Sequence, residues 1–147
     1  MYLHRRVLAC VLFTLLLFCG LSAQAVARVM TLDNPMPRPY AGFGYVVAEG
    51  VDVNQDGAPK ILIGAPFQTV DQFHVQGEVF LFNGQDGHHL TTFDDPYPHQ
   101  GATFGYSIAS PGDVNGDKIP DFAIGASGQI IMDKVAVGRV FVFLSQP

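Results

Sequence analysis

Tryptophan is absent from the 147 residues, only two cysteines occur, and charged side chains make up just 14% of the chain. Both cysteines, Cys10 and Cys19, lie near the start. Downstream of them no thiol exists for a disulfide framework, a thiolate metal cluster or a cysteine nucleophile. Helical periodicity is also missing after residue 27, which excludes a helical bundle and a βαβ repeat. No G-x-S-x-G elbow and no H-E-x-x-H pair occurs. With no such catalytic motif, the chain is expected not to be an enzyme.

One long apolar run is present, from Val7 to Phe18, and it falls short of the ~20 residues that a membrane-spanning helix needs. His4, Arg5 and Arg6 precede it, and the small residues Ser22, Ala23 and Ala25 follow. That order of charge, apolar core and small residues is the pattern of a secretory signal peptide, assigned to 1–25. Cleavage after Ala25 and cleavage after Ala27 fit equally well. The expectation is a secreted or otherwise extracytoplasmic product, in the periplasm, at the cell surface or outside the cell, without a stable membrane span. Removing the leader leaves six basic residues against thirteen carboxylates, a net charge of −7, so no nucleic-acid partner is expected.

What is present is a repeat. A shift of 61 residues aligns Thr31–Phe82 with Thr92–Phe143 without a gap, and 22 of the 52 pairs are identical. Identity on that scale marks an internal duplication. Phe43-Gly44-Tyr45 matches Phe104-Gly105-Tyr106, Asp52-Val53-Asn54 matches Asp113-Val114-Asn115, and Ile63-Gly64-Ala65 matches Ile124-Gly125-Ala126. Short runs such as Tyr45 to Ala48, Ile61 to Ile63 and Val79 to Phe82 are rich in β-branched and aromatic residues and predict strands. Asn83-Gly84-Gln85-Asp86-Gly87 predicts a hairpin turn. Each copy then offers about four short strands, the content of one propeller blade.

Phe104-Gly105, Gly112-Asp113-Val114-Asn115-Gly116-Asp117, Asp121 and Ile124-Gly125-Ala126 resemble the FG-GAP repeat of integrin α-chain β-propellers, and Gly64-Ala65-Pro66 completes the motif in the first copy. The expected fold is all-β: two such blades, incomplete or completed by association, after the signal peptide. The repeats are placed at 26–89 and 90–147.

The acidic loops carry the chemistry. Counted from Asp113, oxygens fall at alternate positions: Asp113, Asn115, Asp117, the carbonyl of Ile119, and Asp121. That spacing suits calcium, which takes six to eight oxygen ligands at ~2.3–2.6 Å. An EF-hand needs a glutamate at the twelfth position, where Ile124 and Ile63 stand, and that reading is rejected. The first copy keeps Asp52, Asn54, Asp56 and the carbonyl of Ala58, but Lys60 replaces the ninth-position carboxylate. Two outcomes stay open there. The ammonium turns inward as an internal counter-ion, or it points to solvent and leaves a weak calcium site. Phe43, Phe80, Phe82, Phe104, Phe141 and Phe143 are read as core, Gly44 and Gly105 as points of close backbone approach, and His74, His88 and His89 as surface residues.

The resemblance implies a secreted, calcium-binding module for adhesion, protein interaction or scaffolding, with an unidentified protein or glycan ligand. The alternative is a repeat fragment or accessory part of a larger secreted propeller protein or hydrolase. Two blades alone leave unpaired edges, so self-association is a further expectation.

Overall fold

The protein is described by a computed structural model covering residues 28–52, 56–132 and 136–146. The predicted signal peptide and Asn54 lie outside the described residues.

Among the described residues seven strands form two antiparallel sheets: β1 (Val46–Gly50), β2 (Lys60–Ala65), β3 (Glu78–Asn83) and β4 (His89–Asp94) in the first, and β5 (Phe104–Gly112), β6 (Asp121–Ala126) and β7 (Arg139–Phe143) in the second. Each sheet follows chain order, β1-β2-β3-β4 and β5-β6-β7. Nearest-neighbour order is what short connections between antiparallel strands give. The first sheet takes its fourth strand across the 89/90 repeat boundary. Among the described residues no helix is long and apolar enough to cross a membrane.

Phenylalanine placement repeats from blade to blade. Phe43 meets Phe80 edge-on at 5.6 Å and Phe82 at 6.0 Å, while Phe104 meets Phe141 at 5.6 Å and Phe143 at 6.2 Å. One apolar cluster joins the sheets, with Val51, Leu62, Val79 and Leu81 from the first blade against Phe104, Phe122, Ile124 and Ala126 from the second. Phe93 of β4 reaches across to Phe122 at 4.8 Å and Phe143 at 5.4 Å.

The blades approach so closely because the facing backbone lacks side chains. A Cβ added at Gly64 would fall on the Gly105 carbonyl, and one added at Gly77 would fall on Phe104 backbone. Three backbone bonds close the seam: Gly101 N–H donates to His74 O at 3.0 Å, Thr103 N–H to Val75 O at 3.1 Å and Phe104 N–H to Gln76 O at 2.8 Å. A buried glutamine also recurs. Gln68 Nε2 donates to Met36 O at 2.6 Å, and Gln129 Nε2 donates to Asp95 Oδ1 at 2.9 Å and Tyr97 O at 3.3 Å. Each glutamine pins the proline-containing turn that enters its blade.

Candidate functional site

Both acidic loops sit at the same end of the molecule, joining β1 to β2 and β5 to β6. A groove of about 490 Å³ runs between them, lined by Glu49–Asp52, Gly57–Lys60, Ser110, Gly112 and Pro120.

Among the described residues, three hydrogen bonds recur from one loop to the other. Asp52 Oδ1 accepts from Asp56 N–H at 3.3 Å and Asp52 Oδ2 from Gly57 N–H at 2.8 Å. Asp113 Oδ1 accepts from Asp117 N–H at 3.2 Å and Asp113 Oδ2 from Lys118 N–H at 2.7 Å. Asp56 Oδ1 accepts from Ala58 N–H at 2.8 Å, as Asp117 Oδ1 accepts from Ile119 N–H at 2.8 Å. Gly57 and Lys118 share a φ of 73°, so the second loop holds a lysine in the left-handed conformation that glycine takes freely in the first. Asp113 has a lowered pKa because the Lys118 backbone N–H donates to it; partial desolvation opposes this, and the Gly116, Asp117 and Asn115 backbone groups add to it.

The ninth position separates the two loops. Lys60 is 1% exposed, and its Nζ donates to Asp52 Oδ1 at 3.0 Å, Asp56 Oδ1 at 2.5 Å and Ala58 O at 2.9 Å. An ammonium has three donors, and all three are used on oxygens that the sequence assigned to calcium. Burial alone would lower the lysine pKa, but the hydrogen bonds and charges of Asp56 and Asp52 outweigh it, and the group is held above the ordinary lysine value. The ion stays charged in place. With Lys60 so seated the first loop does not fit a dication: the oxygens are taken, and a positive charge sits among them. Of the alternatives open in the sequence, the structure shows the inward counter-ion.

In the second loop the equivalent residue is a fully buried carboxylate. Asp121 Oδ2 accepts from Val114 N–H at 2.8 Å and Oδ1 from Ser145 N–H at 2.9 Å. Asp121 therefore ties the loop to the segment after β7. Asn115 Nδ2 donates to Asp117 Oδ2 at 2.8 Å, and Ile119 is buried. Asp113, Asn115, Asp117 and Asp121 present carboxylate and amide oxygens only, a donor set suited to a hard cation. Among the described residues the ion pairs are the two made by Lys60, and neither involves these three carboxylates. As they stand the oxygens are engaged with N–H donors, and among the described residues no three acidic, histidine or cysteine side chains converge on a metal-sized site.

Sequence reasoning missed two features: the bridge from Asp121 to Ser145, and the glutamine clamps. The identity of Gln68 with Gln129 was an available signal for the clamps.

The geometry defines a duplicated all-β repeat whose blades pack through glycine-lined backbone contacts and carry one acidic loop each. A family model of the FG-GAP repeat matches residues 104–143. Over 107 residues, 68% of this chain and 9% of the relative, the chain is 30% identical to integrin alpha-2 of Bos taurus. It is 37% identical to integrin alpha-7 of Homo sapiens over 108 residues, 70% of this chain and 8% of the relative. Against integrin alpha-3 of Cricetulus griseus the figures are 34% over 129 residues, 84% of this chain and 11% of the relative. The chain thus spans about a tenth of the length of these relatives. It is an FG-GAP repeat protein of the integrin alpha-chain propeller type.

Proposed function

We propose that the chain is an exported, calcium-stabilised binding module acting in adhesion, protein interaction or scaffolding, without catalysis of its own. The observation that carries this reading is the second loop, whose three carboxylates share the frame of the first loop but lack the ammonium that fills it. Asp113, Asn115, Asp117, the Ile119 carbonyl and Asp121 would hold the ion. The ion's part would be to neutralise the loop and fix the β5–β6 end of the second blade. Kinship to integrin alpha chains supports a protein or glycan ligand outside the cytoplasm. The small share of those relatives that is matched favours a second reading, in which the two blades serve as part of a larger propeller protein or as the repeat accessory of a hydrolase.

The test is to express the chain in a secreting host, sequence the N-terminus of the product, and probe an array of matrix proteins and glycans in 1 mM calcium or in EDTA. The reading expects a product starting at Val26 or Arg28 and calcium-dependent retention on some array members. A product retaining Met1, or retention that EDTA leaves unchanged, overturns it.

A further inference from the structure

The blade-to-blade seam has two halves, and the duplication gives the chain a second, unused copy of each. In the seam, the Phe104-Gly105 backbone seats on Gly64 and Gly77 of the first blade. The equivalent pair in the second blade, Gly125 and Gly138, lines an open hollow of about 410 Å³ with Tyr106, Ser127, Val137 and Val140. A Cβ at Gly138 would meet its own blade at 3.4 Å or more, and one at Gly125 would fall on the Ser107 hydroxyl of that same blade, a side chain free to turn aside. The matching knob is equally free. Gly105 and Gly44 have φ of 85° and 86°, yet a Cβ on Gly105 would meet Val79 Cγ2 at 2.7 Å and one on Gly44 would meet nothing within 4 Å.

The faces around the hollow agree. Val79 and Leu81 are buried in the seam, whereas their equivalents Val140 and Val142 are 66% and 53% exposed. Among the described residues β3 is paired on both sides, by β2 and β4, and β7 on one side, by β6.

A strand that would border β7 as β4 borders β3 has a counterpart in this chain. Residues 28–45 align with 89–106 at 8 identities in 18, including Thr31-x-Asp33-x-Pro35-x-Pro37 against Thr92-x-Asp94-x-Pro96-x-Pro98. In the second of these segments, residues 89–94 are β4 and residues 101–105 are the knob. In the first, residues 28–33 belong to no strand, and Leu32 packs on the Ile63 and Phe80 cluster as Phe93 packs on Phe122 and Phe143.

We infer that the open face of the second blade is a docking surface for a second copy of this chain. The incoming segment 28–33 adds beside β7, with Thr31 opposite Phe141 as Thr92 is opposite Phe80, and the Phe43-Gly44 turn seats on Gly125 and Gly138. Strand addition supplies backbone hydrogen bonds, and Val140 and Val142 supply the apolar contact. The interface is heterologous, so copies join head to tail and close if the rotation allows. Closure at roughly four to eight blades corresponds to rings of about two to four copies.

The inference does not depend on calcium, and sedimentation velocity in EDTA tests it. The whole chain should associate below about 0.1 mM. Val140→Asp puts a charge on the acceptor face at an exposed position. Met30→Pro with Thr31→Pro removes two N–H groups from the middle of the donor strand. Each variant should sediment as a monomer, and their mixture should form a one-to-one dimer, because each retains the half that the other lacks. A wild-type chain monomeric at about 0.1 mM overturns the inference and leaves the hollow to a following repeat of a longer protein. Association that survives both variants, or a mixture that stays monomeric, overturns it as well.

Discussion

Replacing Asp121 with alanine separates what the loop owes to its own hydrogen bonds from what it owes to calcium. The side chain is fully buried and holds two backbone N–H groups, Ser145 in a buried position and Val114 in a half-exposed one. Loss of a buried, charge-assisted bond that leaves its donor unpaired costs about 2–3 kcal/mol, and loss of the more exposed bond about 1 kcal/mol. Together these make about 3–4 kcal/mol, a large share of the ~5–15 kcal/mol of a typical domain. Calcium contributes less. An extracellular site with a Kd of about 10⁻⁴–10⁻³ M adds about 0.4–1.4 kcal/mol at ~1 mM free ion. Urea unfolding of the wild type should therefore shift slightly on adding EDTA, whereas Asp121→Ala should be strongly destabilised in both calcium and EDTA. If the variant in EDTA unfolds at the wild-type midpoint, the bridge to Ser145 does not hold the loop and the reasoning fails.

At position 60, Lys60→Asp should give the first loop a calcium-binding event that the wild type lacks, read by calorimetry, and should lower the melting temperature in EDTA because the buried counter-ion is gone. No new event would show that the lysine is not what keeps calcium out. Glu78 has its pKa raised from 4.5 to about 7, chiefly by burial and then by the charge of Asp94, with Gln68 and Arg38 opposing. The folded pKa exceeds the unfolded one, so this group's stabilising contribution is complete below about pH 4.5 and is lost as pH rises through about 7. Melting temperature in EDTA should fall across that window, and Glu78→Gln should flatten the profile; an equally steep profile in the variant would exclude Glu78 as the cause. Phe104 is fully buried, and Phe104→Ala should cost about 3–5 kcal/mol in urea unfolding; a cost below about 1 kcal/mol would exclude it from the shared core.

The strands, the hairpin and the duplication were legible because they are written in local patterns. Alternating β-branched and aromatic runs give β2, β3, β6 and β7, and Asn83 to Gly87 gives the β3–β4 turn. The place of both acidic loops, each between two strands, was legible too, since aspartate, asparagine and glycine are turn formers. The direction of Lys60 was not. A flexible lysine stem reaches inward or outward with equal ease, and only the burial of its surroundings decides. Asp121 was assigned as a ligand, and its bond to Ser145, 24 residues away, has no local signature. Gly44 and Gly105 look identical in sequence, but close approach occurs at Gly105 alone, because only that glycine faces another blade in this chain.

The most direct test is calcium titration calorimetry on the wild type, on Asp52→Asn in the first loop and on Asp117→Asn in the second. The account predicts one ion per chain, retained in Asp52→Asn and lost in Asp117→Asn. Two ions per chain, or one that disappears with Asp52 and survives the change at Asp117, would contradict a first loop filled by its own lysine.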